Sequence, residues 1–302
     1  MGSFSRLIKF ESDDGNVYFA DLGKEVLEPP SIGVKVKAYR SFDDLLAHKN
    51  EEHMPMQKLL APLPRDHLPI YCVGLNYKSH SLEANLSVTK TPPLWTKPAA
   101  SLANPGQEII LNDHCATSLP DYEGELVFVT SRTCKDISVN EAPDYILGYT
   151  AGNDLSCRLF QLPSQGGGQF FYAKAFDNFA PIGPTLVNSA DFSMHEKLSL
   201  RVNDQIRQEA DFKNDMVFSP AKILSFMSQG TTIPAFTAVM TGTPAGVGAF
   251  MKPKQFLKDG DVVEVILPGI GELRNKIVFQ CSFASWLYLK ALGLLVSLCT
   301  RW

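Results

Sequence analysis

The sequence predicts a mainly β protein of the α+β class, and three observations support this. Twenty Pro and 21 Gly residues are spread over the 302 residues, and such dense turn residues favour many short strands over a helical bundle. Short apolar runs recur between them, whereas only 141–145 and 219–227 have the pattern typical of helices. Hydrophobic residues make up 45% and charged residues 20% of the chain, which suffices for a core and excludes a disordered chain.

Residues 1–60 are predicted to form a small N-terminal domain. Two alternating apolar runs flank the turn sequence DDGN at 13–16, a pattern typical of a β-hairpin. Ser41 then stands where it would cap a short helix. The proline-rich stretch 61–64 follows as a linker, and a larger domain is expected over 61–280.

We expect that body to consist mainly of short strands, because its apolar runs are brief and bounded by turn residues. A polar segment at 76–85 has the composition of a helix. The expected strands are 70–74, 108–111, 125–130, 146–153, 198–202, 238–241, 262–267 and 276–279.

The C-terminal segment 281–302 is unusual, because it is almost entirely apolar up to residue 299 apart from Lys290 and a few serines. Its length is about that of a membrane span. A helix packed on the core or on a partner subunit is one alternative, and a stretch foreign to the fold is another. A cytoplasmic protein is the expectation, with an organelle such as the mitochondrion as the alternative, and membrane contact is expected only through this segment.

Charge and cysteine spacing argue against two classes of function. Lys and Arg total 28 against 32 Asp and Glu, without a basic run, and binding nucleic acid requires a basic face. The six cysteines form no C-x-x-C pair and no cluster with His, which argues against structural zinc. We expect them to be reduced and mostly buried.

Three carboxylates are candidates for a metal site. Glu123 and Glu125 stand two residues apart at the start of an apolar strand, so both side chains point to one face. Asp154 follows the run 146–153. Oxygen ligands without His or Cys nearby suit Mg²⁺, Mn²⁺ or Ca²⁺ better than zinc or copper. The alternatives are a solvated strand edge for the glutamates and a helix N-cap for the aspartate.

His80 and Glu83 are candidates for a general base. On a helical turn, residues three apart share a face, so Glu83 can orient the imidazole while His80 takes a proton from water. A solvated helix face is the alternative.

Several motifs, in this order and spacing, resemble the fumarylacetoacetate hydrolase family, and the match covers about residues 70–280. The resemblance implies a compact β-roll, usually dimeric, with a divalent metal held by Glu123, Glu125 and Asp154. The motifs are GLNYKSH at 74–80, DYEGE at 121–125, NDLSCR at 153–158, KAFDNFAPIGP at 174–184, FSPA at 218–221, TGTPAGVG at 241–248 and LRN at 273–275.

The resemblance also implies substrate contacts. Lys174 matches the family lysine that contacts substrate near the metal, and Thr243 matches the position that binds the substrate carboxylate. Arg158 and Gln161 would share a face with Asp154 if a helix begins there, and Arg158 would then bind a carboxylate bidentately. A structural ion pair is the alternative for Arg158, and a surface lysine for Lys174.

These residues and the resemblance together imply a metal-dependent hydrolase, using Mg²⁺ or Mn²⁺, that cleaves a C–C bond in a 2,4-dioxo acid of the acylpyruvate type through a metal-bound enolate. The pair His80 and Glu83 favours water activation, because family members that only isomerise often lack it. An oxaloacetate decarboxylase or tautomerase is the alternative on the same fold, and a catalytically silent binding subunit is another. The expected partners are a small 2-oxo or 2,4-dioxo acid and a second copy of the chain, with no nucleic acid.

This sequence departs from the family pattern at two positions. Leu75 and Leu159 stand where many members have Arg and Asp, respectively. The segment 85–93 has its own length and composition, and the glycine-rich stretch 165–169 is either a second lid or a loop. We expect these differences to reshape the outer pocket toward a larger or more apolar acyl group.

Overall fold

The computed structural model describes residues 4–280, in which strands predominate. The strands are β1 Arg6–Ser12, β2 Val17–Asp21, β3 Lys35–Ala38, β4 Glu52–Leu60, β5 Ile70–Val73, β6 Leu94–Lys97, β7 Leu102–Ala103, β8 Ile109–Asn112, β9 Pro120–Asp121, β10 Gly124–Thr130, β11 Ile146–Asn153, β12 Ser156–Cys157, β13 Ala180–Asn188, β14 Lys197–Val202, β15 Gln205–Asp211, β16 Ala238–Met240, β17 Val262–Leu267 and β18 Gly271–Gln280. The α-helices are α1 Phe42–Ala47, α2 Lys78–Glu83, α3 Asp113–Ala116, α4 Pro163–Gly166, α5 Phe171–Lys174, α6 Phe212–Asp215 and α7 Pro220–Ser228. Short 3₁₀ helices span Ala99–Ser101, Ala142–Tyr145, Arg158–Gln161 and Gly248–Phe250.

Most strands belong to one 11-stranded sheet, whose main path runs β3-β4-β1-β13-β11-β10-β16-β5-β6. Strand β2 pairs with β1, and β7 pairs with β13. A five-stranded sheet runs β15-β14-β17-β18-β8, and β9 pairs with β12. The predicted fold class, mainly β with short helices, is confirmed.

The N-terminal strands continue the large sheet. The predicted hairpin is present, with β1 antiparallel to β2, and Ser41 caps α1 by accepting a hydrogen bond from the backbone of Asp44. Strand β1 also pairs with β13 through Leu7 and Leu186. The division at residue 60 stays a prediction, since strand pairing crosses it.

Some elements were not predicted from the sequence. Strand β13 contains Pro181, Gly183 and Pro184, yet eight of its nine residues are buried between neighbouring strands. Strand β15 is rich in polar residues because it lies at the edge of the smaller sheet. Of the two predicted helices, 219–227 is α7, capped by Ser219, whereas 141–145 is a 3₁₀ helix.

Four neighbouring strands of the large sheet have one end each at the same side of the sheet: β10 begins there, and β5, β11 and β16 end there. Strands β10 and β11 are antiparallel with Gly124 opposite Asn153, so the start of one lies beside the end of the other. Strands β5 and β16 are parallel, so their C-terminal ends also lie together. The side chain of Asn76 joins the segments after β5 and β16 by donating to the carbonyl of Thr241 at 2.7 Å. Loops from distant parts of the chain therefore meet here.

The four described cysteines, Cys72, Cys115, Cys134 and Cys157, are free and buried, as predicted. Cys281 and Cys299 lie outside the described residues, as does the apolar segment 281–302. Among residues 4–280, no helix has the length and apolar character needed to cross a membrane.

Candidate active site

Glu123, Glu125 and Asp154 converge at the edge where β10 begins and β11 ends. All three are buried, and one carboxylate oxygen of each lies within 4.8 Å of the other two. The backbone N–H of Asp154 donates to the carbonyl of Glu123 at 2.8 Å, and the N–H of Glu123 donates to the side chain of Asn153 at 3.0 Å. The convergence predicted from the sequence is thus present, and neither alternative, a solvated edge or a helix N-cap, describes these residues.

The loop after β16 holds the carboxylate of Glu125 in position. The backbone N–H of Gly242 donates to Oε2 of Glu125 at 2.7 Å. Gly242 has φ +94°, and a Cβ there would lie 2.9 Å from that of Asn76. Glycine is therefore required at this position by both conformation and space.

Three basic side chains surround the carboxylates. The Lys174 ammonium lies 3.0 Å from Oε2 of Glu123 and 2.7 Å from Oδ2 of Asp154. Lys97 lies 2.5 Å from Oδ1 of Asp154, and Arg158 lies 2.6 Å from Oε1 of Glu123. Lys174 is therefore buried and is not the surface lysine considered as its alternative.

Lys97 was missed by sequence reasoning. It is fully buried at the end of β6 and donates to the carbonyls of Leu155 and Phe179. Its only signal in the sequence is a charged residue at the end of a short strand, which is also typical of an exposed position.

Glu123 and Glu125 have opposite pKa shifts. Burial alone raises the pKa of Glu123, but Lys174 and Arg158 outweigh it and lower that pKa to about 2. Burial, together with the charges of Asp154 and Glu123, raises the pKa of Glu125 well above its usual value. Glu125 is therefore the carboxylate whose negative charge is least compensated.

The donor set fits a hard divalent cation. Oε1 of Glu125 is buried and has no hydrogen-bond partner among residues 4–280. A buried acceptor without a partner is costly, and a cation held by Glu123, Glu125 and Asp154 would satisfy it. Carboxylate oxygens alone suit Mg²⁺ or Mn²⁺.

His80 and Glu83 lie on α2 and interact as predicted. Nδ1 of His80 lies 2.7 Å from Oε1 of Glu83, and His80 is only 8% exposed. The backbone N–H of Gly246 donates to Oε2 of Glu83 at 2.9 Å. The carboxylate is thus held from both sides, which leaves Nε2 of His80 for another partner. The solvated helix considered as the alternative is not observed.

The geometry predicted for Arg158 and Gln161 is wrong in one respect, because no helix begins at Asp154. Strand β12 follows instead, and Arg158–Gln161 is a 3₁₀ helix. The structure nevertheless brings the two side chains together, since Nη1 of Arg158 donates to Gln161 at 3.1 Å.

Asp121, which sequence reasoning did not assign, anchors this arginine. It is fully buried and accepts from Nε of Arg158 at 2.7 Å. It also accepts from the backbone N–H groups of Gly248 and Ala249. The structural ion pair considered for Arg158 is thus present, while its Nη2 is buried and has no hydrogen-bond partner in the described part of the chain. Asp121 stands in the quoted DYEGE motif, which was the available signal.

Thr243 is buried and hydrogen-bonded within the protein. Its hydroxyl donates to the carbonyl of Gly124 at 3.1 Å and accepts from Gln208 at 2.8 Å. The hydroxyl proton is therefore already used. Contact with a ligand carboxylate would rely on backbone donors or on rotation of the hydroxyl.

A cavity of about 320 Å³ joins most of these residues. Its polar lining consists of His80, Glu123, Arg158, Gln161, Lys174 and Thr243, together with Lys254. Leu75 lines the same cavity, whereas Leu159 does not. The predicted base His80, the cations Arg158 and Lys174, and one of the three carboxylates, Glu123, therefore line one space that admits a small organic acid.

Comparison with known proteins finds similar sequences and structures. The model of the fumarylacetoacetate (FAA) hydrolase C-terminal family matches residues 69–278. An oxaloacetate tautomerase of Bacillus subtilis is 35% identical over 224 residues, which are 73% of each chain. A caffeoylpyruvate hydrolase of Neonothopanus nambi is 34% identical over 295 residues, 91% of this chain and 93% of the relative. The crystal structure of a 2-hydroxyhepta-2,4-diene-1,7-dioate isomerase from Mycobacterium marinum superposes with a TM-score of 0.73 at 31% identity, over 91% of this chain and 99% of that one.

Proposed function

The chain belongs to the fumarylacetoacetate hydrolase family, and on this premise we propose that it is a divalent-metal-dependent hydrolase that cleaves the C–C bond of an acylpyruvate. One observation carries the proposal: His80, oriented by Glu83, lines the same cavity as Glu123, Arg158 and Lys174. A base and two cations that line one cavity, together with a carboxylate cluster that reaches it through Glu123, are what hydrolysis through an enolate requires.

Binding requires groups for both the metal and the polar end of the substrate. Glu123, Glu125 and Asp154 would hold Mg²⁺ or Mn²⁺, which supplies Lewis-acid polarisation of substrate oxygens. Arg158 offers its unpartnered Nη2 to the substrate carboxylate, and Gln161 offers its amide. A charge-assisted hydrogen bond from a buried guanidinium is among the stronger polar contacts in proteins.

The proposed reaction begins with proton transfer from water to Nε2 of His80. The water oxygen attacks the distal carbonyl carbon, and the bond between that carbon and the adjacent CH₂ breaks. The electron pair of this bond forms the pyruvate enolate, whose negative charge Lys174 stabilises. The proton held by His80 then passes to the enolate carbon, giving pyruvate, while the released acid loses its own proton to solvent.

Tautomerisation or decarboxylation of oxaloacetate is the second candidate. It is favoured by the similarity to the Bacillus subtilis tautomerase, and both reactions pass through an enolate in the same polar cavity. Neither requires the attack of a base-activated water on a carbonyl carbon. His80 therefore distinguishes the two functions.

The test uses the purified protein with Mg²⁺, an acylpyruvate such as 2,4-dioxopentanoate, and oxaloacetate. We expect the acylpyruvate to release pyruvate, and EDTA to abolish this release. His80→Ala should lower the rate of acylpyruvate hydrolysis about 10²–10⁴-fold and keep the rate of oxaloacetate tautomerisation within tenfold. The matched control is His67→Ala, since His67 is 72% exposed and lies outside the cavity.

Two outcomes would contradict the proposal. If no acylpyruvate is hydrolysed in an EDTA-sensitive way, the protein is not this hydrolase. If oxaloacetate alone reacts and His80→Ala leaves that rate unchanged, the second candidate is correct.

A further inference from the structure

The side chains that line the cavity are of two chemical kinds. The polar ones described above, without Lys254, form what we call the polar half, and the others, which we call the outer half, are apolar except for Lys254. The larger members of the outer half include Leu75, Leu86, Trp95, Leu162, Phe170 and Phe256.

Several apolar side chains of the outer half are exposed to solvent. Leu86, Leu119, Leu162 and Phe250 are between 39% and 53% exposed, and all four line the cavity. Large apolar side chains are costly to leave in water, and a cluster of them around a cavity is typical of a ligand-binding groove. The continuity of this groove with the polar half indicates that one ligand spans both.

Aromatic rings begin where the polar half ends. The Lys174 ammonium lies 5.3 Å from the centroid of the Trp95 ring, and the Phe170 ring meets Trp95 edge-on at 5.5 Å. Trp95 lies against Gly74, where a Cβ would come within 2.9 Å of the indole. Gly74 thus leaves room for the Trp95 ring beside Lys174, and the apolar surface beyond Trp95 is suited to an aromatic ring of a ligand.

The outer half is poorly equipped for a second negative charge. Within residues 4–280, the only charged side chain that lines the cavity beyond the polar half is Lys254, which is exposed. Solvent screens an ion pair at such a position, so its contribution is small. Leu75, within the wall, offers no hydrogen bond. A terminal carboxylate on the acyl group would lose water there without a compensating partner.

We propose that the outer half is an acyl-binding subsite for an uncharged aromatic group, so that the preferred substrates are aroylpyruvates. This inference rests on the proposed hydrolase function. It predicts that an aromatic ring contributes through apolar burial, mainly by lowering KM.

The experiment compares kcat/KM for three substrates: 2,4-dioxo-4-phenylbutanoate, 2,4-dioxopentanoate and a 2,4-dioxo diacid with a terminal carboxylate. We expect the phenyl compound to exceed each of the others by at least about tenfold, since burying a ring removes much more apolar surface than burying a methyl group. Phe170→Ala should lower the ratio of kcat/KM for the phenyl compound to kcat/KM for 2,4-dioxopentanoate about tenfold.

Phe171→Ala is the matched control, because Phe171 is the next residue, is 49% exposed and does not line the cavity. Leu86→Ala, at a 53% exposed position, repeats the test should Phe170→Ala prove unstable. Equal kcat/KM for phenyl and methyl compounds, or a preference for the diacid, would overturn the subsite while leaving the hydrolase function intact. Hydrolysis of none of the three would instead remove the proposed function on which the subsite rests.

Discussion

Glu125 differs from the other carboxylates of the site in its surroundings. Glu123 and Asp154 each contact two basic side chains, whereas Glu125 accepts one backbone hydrogen bond and has one oxygen without a partner. Burial and the charges of Asp154 and Glu123 raise its pKa well above the usual value. Its ionised form is thus destabilised in the folded protein until a cation compensates it.

Glu125→Gln should therefore separate stability from metal binding. The amide has nearly the same shape and removes the repulsion, so without divalent ions we expect a Tm equal to or above that of the unsubstituted protein. Mg²⁺ should raise the Tm of the unsubstituted protein, because an ion that binds only the folded state stabilises it, but not that of the variant. Turnover should fall by at least about 10²-fold. Differential scanning fluorimetry with and without Mg²⁺ measures this.

Glu209→Gln is the control, because Glu209 is exposed on β15. It should keep both the Mg²⁺-dependent rise in Tm and the activity. An equal Mg²⁺-dependent rise in Glu125→Gln would show that the ion binds without this carboxylate.

At the scale of elements, the loop after β16 holds the short helix α2. The N–H of Ala245 donates to the hydroxyl of Ser79 at 3.2 Å, and the N–H of Gly246 donates to Glu83 at 2.9 Å. Gly246 has φ +106°, and a Cβ there would overlap the carbonyl of Arg207. The glycine therefore allows the backbone to approach both β15 and the base on α2.

Gly246→Ala should displace this loop and the helix together. We expect the free energy of unfolding to fall by about 1–3 kcal/mol. The rate of hydrolysis should fall by about tenfold or more, because Glu83, which orients His80, loses the backbone N–H that donates to it. We expect a similar loss of rate for Glu83→Gln. Chemical denaturation and steady-state kinetics measure the two effects.

Gly230→Ala is the matched control. Gly230 also has a positive φ of +70°, but nothing lies within 4 Å of its Cβ position. It should lose about 1–2 kcal/mol from conformation alone and keep full activity. Equal activities of the two variants would contradict the positioning of α2 by this loop.

The elements that the sequence predicted correctly are those marked by patterns within a few residues of each other. The turn at 13–16, the cap at Ser41 and the spacing of Glu123 and Glu125 are local, and the structure agrees with each. Strand β13 was missed because its prolines and glycine are typical of turns, and its partners, β1 and β11, are distant in the chain.

The same reasoning applies to the site. Lys97 and Asp121 contact residues that are distant in the sequence. Lys97 pairs with Asp154, and Asp121 joins Arg158 to the backbone of Gly248. The helix expected after Asp154 is absent because that residue already pairs with Glu123 and β12 continues the chain. Pairings between distant segments are what a single sequence read by local pattern does not contain.

At the scale of the whole molecule, the N-terminal strands and the site share one sheet. Strand β1 pairs with β13, which pairs with β11, and Asp154 follows the end of β11. The N-terminal 60 residues thus contribute to the sheet that positions the carboxylates. The predicted homodimer and cytoplasmic location stay predictions, which sedimentation and fractionation would test.

The charges beside the cavity have a consequence for the order of binding. Four carboxylates, Asp121, Glu123, Glu125 and Asp154, lie together with three cations, Lys97, Lys174 and Arg158, so this cluster carries a formal charge of minus one when all four carboxylates are ionised, as they are once a cation compensates Glu125. A divalent ion changes it to plus one, and a monoanionic acid then restores neutrality. Metal and acid should therefore bind cooperatively, and such coupling is reciprocal. By calorimetry, we expect pyruvate to tighten Mg²⁺ binding by about 5–150-fold, and Mg²⁺ to tighten pyruvate binding by the same factor; independent binding would contradict this.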